Sequence, residues 1–244
     1  MATKSVAVRS GAMENVSNND GPISNWIWQA MAPADRDVLR PHARRRVLAR
    51  GDILMNASDH VDLVYFPVTA DIANVIRLSD GLAGMATTVG RDGVTGLAAF
   101  LANEPLGWDI LVQIGGEAWS LPADRLRQQT MASPDLQALL MRLTHKNQVE
   151  AAVNAVCNLR HPVMPRLARW LLTTQDRTGV AEFSMTQEEI GALLGVQRTT
   201  MNEAFQELSS HDAIVISRGK TRIGNRTALK RCACECYGAM KLAL

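Results

Sequence analysis

Between residues 197 and 208 two sets of side chains alternate with helical period. Met201, Ala204, Phe205 and Leu208 recur at i, i+3, i+4 and i+7, which marks one face as core. The opposite face carries Gln197, Arg198, Thr199, Asn202 and Gln206. Guanidinium, amide and hydroxyl groups near a helix N-terminus match the edges of base pairs. Arginine pairs bidentately with guanine O6 and N7, and glutamine or asparagine does the same with adenine. The Glu203 carboxylate would accept from cytosine N4 and repel phosphate. A second set, Cys232, Cys234 and Cys236, follows six basic residues between Arg218 and Arg231, a setting that lowers thiol pKa. Three thiolates fall one ligand short of a closed zinc site, so these cysteines are weak metal or redox candidates. The competing reading is a tail that packs on the domain before it. No Ser/His/Asp, Cys/His or metal-spaced cluster stands out, so no catalytic residue is assigned and no enzyme is expected.

The element that presents Arg198 must be held at a fixed angle, and the preceding residues supply the means. Thr186 and Glu189 have capping-box spacing, Met185 and Ile190 form a hydrophobic staple, and Ile190, Leu193 and Leu194 make the buried face of a short helix. Gly195 marks the turn before the second helix, which predicts a helix-turn-helix. Ala213–Ser217, the turn Arg218-Gly219-Lys220 and Thr221–Gly224 read as a β-hairpin, or wing, with a basic tip.

Upstream, residues 61–66, 72–76 and 108–114 are short apolar segments between Gly, Asp, Asn and Pro, as in a sandwich or small barrel. Gly81, Gly84, Gly90, Gly93 and Gly96 imply positive φ or close backbone approach. The stretch lacks the Gly-Lys-Ser/Thr ending of a P-loop. The triplet Arg44-Arg45-Arg46 reads as a solvated edge, and Trp26, Ile27, Ala30 and Met31 as one face of a helix within 25–39. Ser133 and Pro134 suit the N-cap and first position of a helix of about 24 residues, some 36 Å long. Its stripe of Leu136, Leu139, Leu140, Leu143, Val149, Ala152, Val153 and Val156 reads as a surface for pairing with a second copy, or as an ordinary core face. His161-Pro162 ends it.

In order, Thr186–Thr200 and the hairpin around Arg218-Gly219-Lys220 resemble the DNA-binding domain of Crp/Fnr transcription regulators. Residues 89–96, 166–172 and 233–237 resemble a bacterial subset of that family lacking the cyclic-nucleotide and iron–sulfur motifs. The resemblance implies an α+β chain: an N-terminal β-roll of the cyclic-nucleotide-binding (jelly-roll) kind, a long dimerisation helix and a C-terminal winged helix-turn-helix. On this division, 1–20 is a disordered tail, 21–132 the sensor domain, 133–160 the dimer helix, 161–231 the DNA-binding domain and 232–244 a cysteine-containing tail. It further implies base contacts from Gln197, Arg198, Thr199, Asn202 and Glu203, and phosphate contacts from Gln187, Thr200, Arg218 and Lys220. Thr199 stands where many members have glutamate and Glu203 where several have arginine, so the operator should differ from the best-known sites.

Cyclic AMP is not expected as a ligand. The family's glutamate turn reads Asp92-Gly93-Val94, its Arg-Ser pair reads Leu106-Gly107, and its helix hydroxyls fall near Ala151 and Ala152. No cysteine precedes Cys157, which argues against an N-terminal iron–sulfur cluster; haem stays open. The expected partners are double-stranded DNA, a second copy of the chain and, for an activator, RNA polymerase.

Of 244 residues 47% are hydrophobic and 20% charged, with no apolar run of bilayer length and no secretory core at the N-terminus, so a cytoplasmic protein with no membrane partner is expected. The net charge of +2 conceals an asymmetry. Residues 1–159 carry 14 basic and 16 acidic side chains, whereas 160–231 carry 11 basic and 7 acidic. The alternative is a small-molecule or redox sensing module whose winged helix mediates protein contacts.

Overall fold

The computed structural model describes residues 22–79 and 83–241; the expected tail at 1–20 and Gly81 lie outside them. Asn25 caps helix α1 (Trp26–Ala30): its Oδ1 accepts from the Ile27 and Trp28 amides, and its Nδ2 donates to the Pro67 and Gly93 carbonyls. Helix α2 (Pro33–Leu39) is separate, because Ala32 precedes a proline and leaves the helical region. The break alters the expected face. Ile27, Trp28 and Met31 are buried, while Trp26 is about half exposed and Ala30 is exposed.

Among the described residues of the N-terminal half there are strands β1 (Arg44–Leu48), β2 (Ile53–Met55), β3 (Leu63–Pro67), β4 (Asp71–Arg77) and β5 (Ala83–Val89), then helix α3 (Leu97–Ala102), β6 (Asp109–Ile114) and β7 (Gly116–Pro122). They form two antiparallel sheets, ordered β1-β7-β3 and β2-β6-β4-β5. Leu48, Val64, Phe66 and Trp119 of the first sheet share one buried cluster with Met55, Ile72, Ile110 and Val112 of the second, so the layers are a β-roll around a common core. The arginine triplet lies on β1, at the end of its sheet. Arg45 pairs with Glu117, and the Arg46 Nε donates to the Ser120 hydroxyl, so these two guanidinium groups are tied across to the neighbouring strand β7.

Helix α4 (Ala123–Ala132) leads into α5 (Pro134–Arg160), which has 27 residues. The Ser133 hydroxyl accepts from the Leu136 amide, and Pro134 occupies the first turn. Leu136, Leu140 and Leu143 are at most 1% exposed and belong to the β-roll core, with Leu139 packed against it. Val149 and Val153 are half-buried; Ala152 and Val156 are exposed. The face of α5 turned to solvent carries Met141, His145, Gln148, Ala152, Ala155 and Leu159, spaced alternately by four and three residues. Among these, Met141 is 60% and Leu159 81% exposed.

The C-terminal part comprises α6 (Val163–Thr178), β8 (Glu182–Phe183), α7 (Gln187–Leu194), α8 (Arg198–Ser210), β9 (Ile214–Ser217), β10 (Lys220–Ile223), α9 (Arg226–Cys232) and α10 (Cys236–Lys241). Leu167 and Leu171 of α6 meet Phe183, Ile190, Met201, Phe205, Leu208, Ile214 and Leu229 in a second core. A three-stranded sheet ordered β8-β10-β9 flanks the helices. The chain is therefore α+β, with an N-terminal β-roll, a long helix and a C-terminal winged helix-turn-helix. No helix among the described residues is long and apolar enough to cross a membrane.

Charged groups join these parts. Arg177 of α6 donates to Asp92 (3.0 and 3.2 Å) and to Glu150 of α5 (2.9 Å), and also to the Thr88 hydroxyl. Lys146 of α5 donates to Asp92 at 2.6 Å and lies 3.2 Å from Glu150. All four charged side chains are at most 12% exposed. Gly90 admits Arg177: a Cβ there would lie 2.3 Å from the arginine Cβ. Burial pushes the Asp92 carboxyl up, but Arg177 and Lys146 outweigh burial and hold it well below the usual carboxylate range. Asp71, without a direct ion pair of this kind, is pushed up to about 7 by burial, with Arg177 opposing the shift and Asp92 adding to it.

Candidate nucleic-acid interface

Local sequence builds the scaffold of α7 and α8. The Thr186 amide donates to Glu189 Oε2 (2.7 Å), and the Glu189 amide donates back to the Thr186 hydroxyl (3.2 Å), closing the capping box. Arg50, from the turn between β1 and β2, pairs with Glu189 and donates to the Ser184 carbonyl at 2.6 Å. Burial pushes the Glu189 carboxyl up, but the bonds from Thr186 and Arg50 bring it below its ordinary value. At the other end of α7, Gly195 adopts φ +64 and Arg166 of α6 donates to the Leu194 carbonyl at 2.7 Å. The Val196 amide donates to the Gly191 carbonyl at 2.8 Å, which fixes the turn into α8.

On α8 the predicted core face is buried: Met201, Ala204, Phe205 and Leu208 are at most 3% exposed. Gln197, Arg198, Thr199, Thr200, Asn202 and Glu203 are all exposed on its N-terminal half, and Gln187 is half-buried at the start of α7. A helix N-terminus carries partial positive charge, so this surface favours anions while its side chains offer directional donors and acceptors. The hairpin turn is Arg218-Gly219, with φ +71 at Gly219, and Arg218 and Lys220 are exposed at the tip. Lys220 forms a 2.7 Å ion pair with Glu182 of β8, a strand that the sequence reading did not include. Two residues give too short an alternation to read, and pairing to β10 is what makes them a strand.

Elsewhere the sequence reading and the structure diverge in detail. Asp92 is buried in the ionic cluster with Lys146 and Arg177, neither of which local spacing marks. Leu106 is 3% exposed, and Ala151 and Ala152 lie on exposed positions of α5. Among the three C-terminal cysteines, Cys234 and Cys236 converge with Cys157 and His161, and Cys232 does not join them. The sequence signal for this convergence is the four-residue spacing of Cys157 and His161 at the end of α5.

Residues 165–232 match the Crp-like helix-turn-helix domain. Over 212 residues, 84% of this chain and 95% of the relative, the sequence is 22% identical to the CRP-like cAMP-activated global transcriptional regulator of Mycobacterium tuberculosis. The fold resembles FixK2 from Bradyrhizobium japonicum, with a TM-score of 0.66 and 19% identity over 79% of this chain and 98% of that one. It also resembles a crp/fnr-family transcriptional regulator from Eubacterium rectale, with a TM-score of 0.63 and 16% identity over 84% and 96% of the two chains. Together these comparisons show a chain whose C-terminal part matches the Crp-like helix-turn-helix domain and whose fold, from β-roll to wing, is similar to that of Crp/Fnr transcriptional regulators.

Proposed function

We propose that the protein acts as a homodimer on a near-palindromic operator, with α8 in the major groove. The observation that carries this reading is the exposed polar N-terminal half of α8, set on a buried core and flanked by a basic wing tip. Arg198 reads a guanine; Gln197, Thr199, Asn202 and Glu203 contact neighbouring bases; Gln187, Thr200, Arg218 and Lys220 approach phosphates. The dimer face is the solvent-facing row of α5 through Met141, Ala152 and Leu159, because Leu136, Leu140 and Leu143 fill the chain's own core. Two such subunits set their recognition helices about 34 Å apart, one turn of DNA.

Regulation runs through the β-roll without cyclic AMP. Asp92 is engaged by Lys146 and Arg177, Leu106 is buried, and Ala151 and Ala152 offer no hydroxyl. A calorimetric titration showing micromolar or tighter binding of cyclic AMP contradicts this part. The function as a whole is tested by selection from a random DNA pool with the purified protein. Enrichment of a two-fold related motif is expected; no enriched motif in either reduced or oxidised protein favours a module whose winged helix contacts proteins.

A further inference from the structure

We infer that Cys157, His161, Cys234 and Cys236 form a tetrahedral Zn²⁺ site that clasps the end of α5 to the segment following the winged helix. Cys157 lies in the last turn of α5 and His161, four residues on, is its C-cap, while Cys234 lies between α9 and α10 and Cys236 opens α10. The four candidate ligand atoms all lie within 4.8 Å of one another. Cys157 Sγ and Cys234 Sγ are 3.6 Å apart, and Cys236 Sγ is 3.7 Å from His161 Nδ1. A tetrahedron with zinc–sulfur bonds of about 2.3 Å and a zinc–nitrogen bond of about 2.0–2.1 Å has sulfur–sulfur edges of about 3.8 Å and sulfur–nitrogen edges of about 3.6 Å. The Cys157–Cys234 and Cys236–His161 spacings match those edges, the other pairs lie within 4.8 Å, and the sulfur–sulfur separation of 3.6 Å is far from the roughly 2.05 Å of a disulfide.

The surroundings are those of a closed site. All three thiols are buried, with Val153 packed against them. His161 directs Nδ1 at the cluster while its Nε2 lies 3.2 Å from Glu235 Oε1, the carboxylate partner that orients a metal-bound imidazole. Three thiolates and one imidazole around Zn²⁺ leave one net negative charge, and Arg166 and Arg169 interact electrostatically with Cys157. Four protein ligands leave no open position, which marks a structural rather than a catalytic centre. The clasp spans His161-Pro162, the junction between α5 and α6, so occupancy sets the angle of the winged helix to the long helix. The consequence for operator affinity rests on the proposed function; the metal site does not.

The test is titration of full-length, reduced, chelator-treated protein with Co²⁺ followed by Zn²⁺. One equivalent of Co²⁺ should give thiolate charge-transfer and tetrahedral d–d bands that Zn²⁺ abolishes. Cys157→Ser, Cys234→Ser, Cys236→Ser and His161→Ala should each lose those bands, whereas Cys232→Ser should keep them. Glu235→Gln should retain the bands and weaken Zn²⁺ binding by about 10–100-fold. If a ligand variant fails to fold by circular dichroism, the Cys232→Ser and Glu235→Gln comparison decides. Octahedral cobalt spectra in the wild type, equal loss in Cys232→Ser, or a Cys157–Cys234 disulfide that forms as fast with Zn²⁺ as without it would each overturn the site. None of these readouts involves DNA, so failure of the metal site and failure of the DNA-binding reading are separable.

Discussion

Arg177, Lys146, Asp92 and Glu150 are buried and mutually paired at the meeting point of the β-roll, α5 and α6, whereas Gln197, Arg198, Thr199, Asn202 and Glu203 stand exposed on α8. Both groups are polar and carry charge, yet they answer different physical demands. A buried charge must find its counter-charge within the fold, because removing either partner leaves the other without water or compensation. An exposed helix face has no such obligation, so its side chains can meet an external partner with their hydrogen-bonding capacity intact. The junction thus fixes where the parts sit, and the α8 face is available for recognition.

The largest effect that would test this contrast is at the junction. Arg177→Ala should destabilise the protein by about 3–5 kcal/mol, measured by urea unfolding, because Asp92 and Glu150 are left buried with one cation, Lys146, between two carboxylates. A loss under about 1 kcal/mol would show that water reaches the cluster. Next come the two faces of α5. Leu140→Ala should cost about 2–5 kcal/mol in folding stability without altering subunit association at equal folded fraction. Met141→Glu should leave folding within about 0.5 kcal/mol and shift the protein from dimer to monomer in sedimentation. The reverse pattern would place the dimer contact on the leucine face.

Protonation sharpens the same contrast. Asp92 has a depressed pKa in the fold, so its contribution is present above the unfolded carboxylate pKa and is lost as pH falls through the folded value. Asp71 behaves oppositely. With its folded pKa raised to about 7, the native state holds a proton that the unfolded chain releases, and stability falls as pH rises from about 4 through 7. Asp71→Asn should raise stability at pH 8 by on the order of 1–2 kcal/mol and flatten the profile between pH 5 and 8. Unchanged pH dependence in thermal unfolding contradicts the assignment. The smallest effect is at the wing: Lys220→Ala should lower DNA affinity similarly on all sequences and reduce the slope of log affinity against log salt by about 1.

Legibility in the sequence followed the distance between interacting residues. Thr186, Glu189, Gly195 and the Met201–Leu208 spacing define α7, the turn and α8 within a few residues, and the structure closes the same capping box and buries the same face. Ser133 and Pro134 likewise start α5 where a local cap predicts. By contrast, Arg177 and Asp92 are 85 residues apart, and Cys157 and Cys234 are 77 apart, so only the folded chain brings them together. The leucines of α5 show the intermediate case. Their periodicity identifies an apolar face but not what covers it, and the chain's own β-roll does so.

The most direct test of the recognition face measures Arg198→Ala and wild-type protein against the selected operator and a set of single base-pair variants, at fixed salt. Arg198→Ala should lose about 1–3 kcal/mol of operator affinity, with the loss mapping to one guanine-containing base pair and replacement of that pair costing the variant nothing further. Equal weakening on every sequence, with discrimination at all positions retained, would place Arg198 on the phosphate backbone and overturn its role in base recognition.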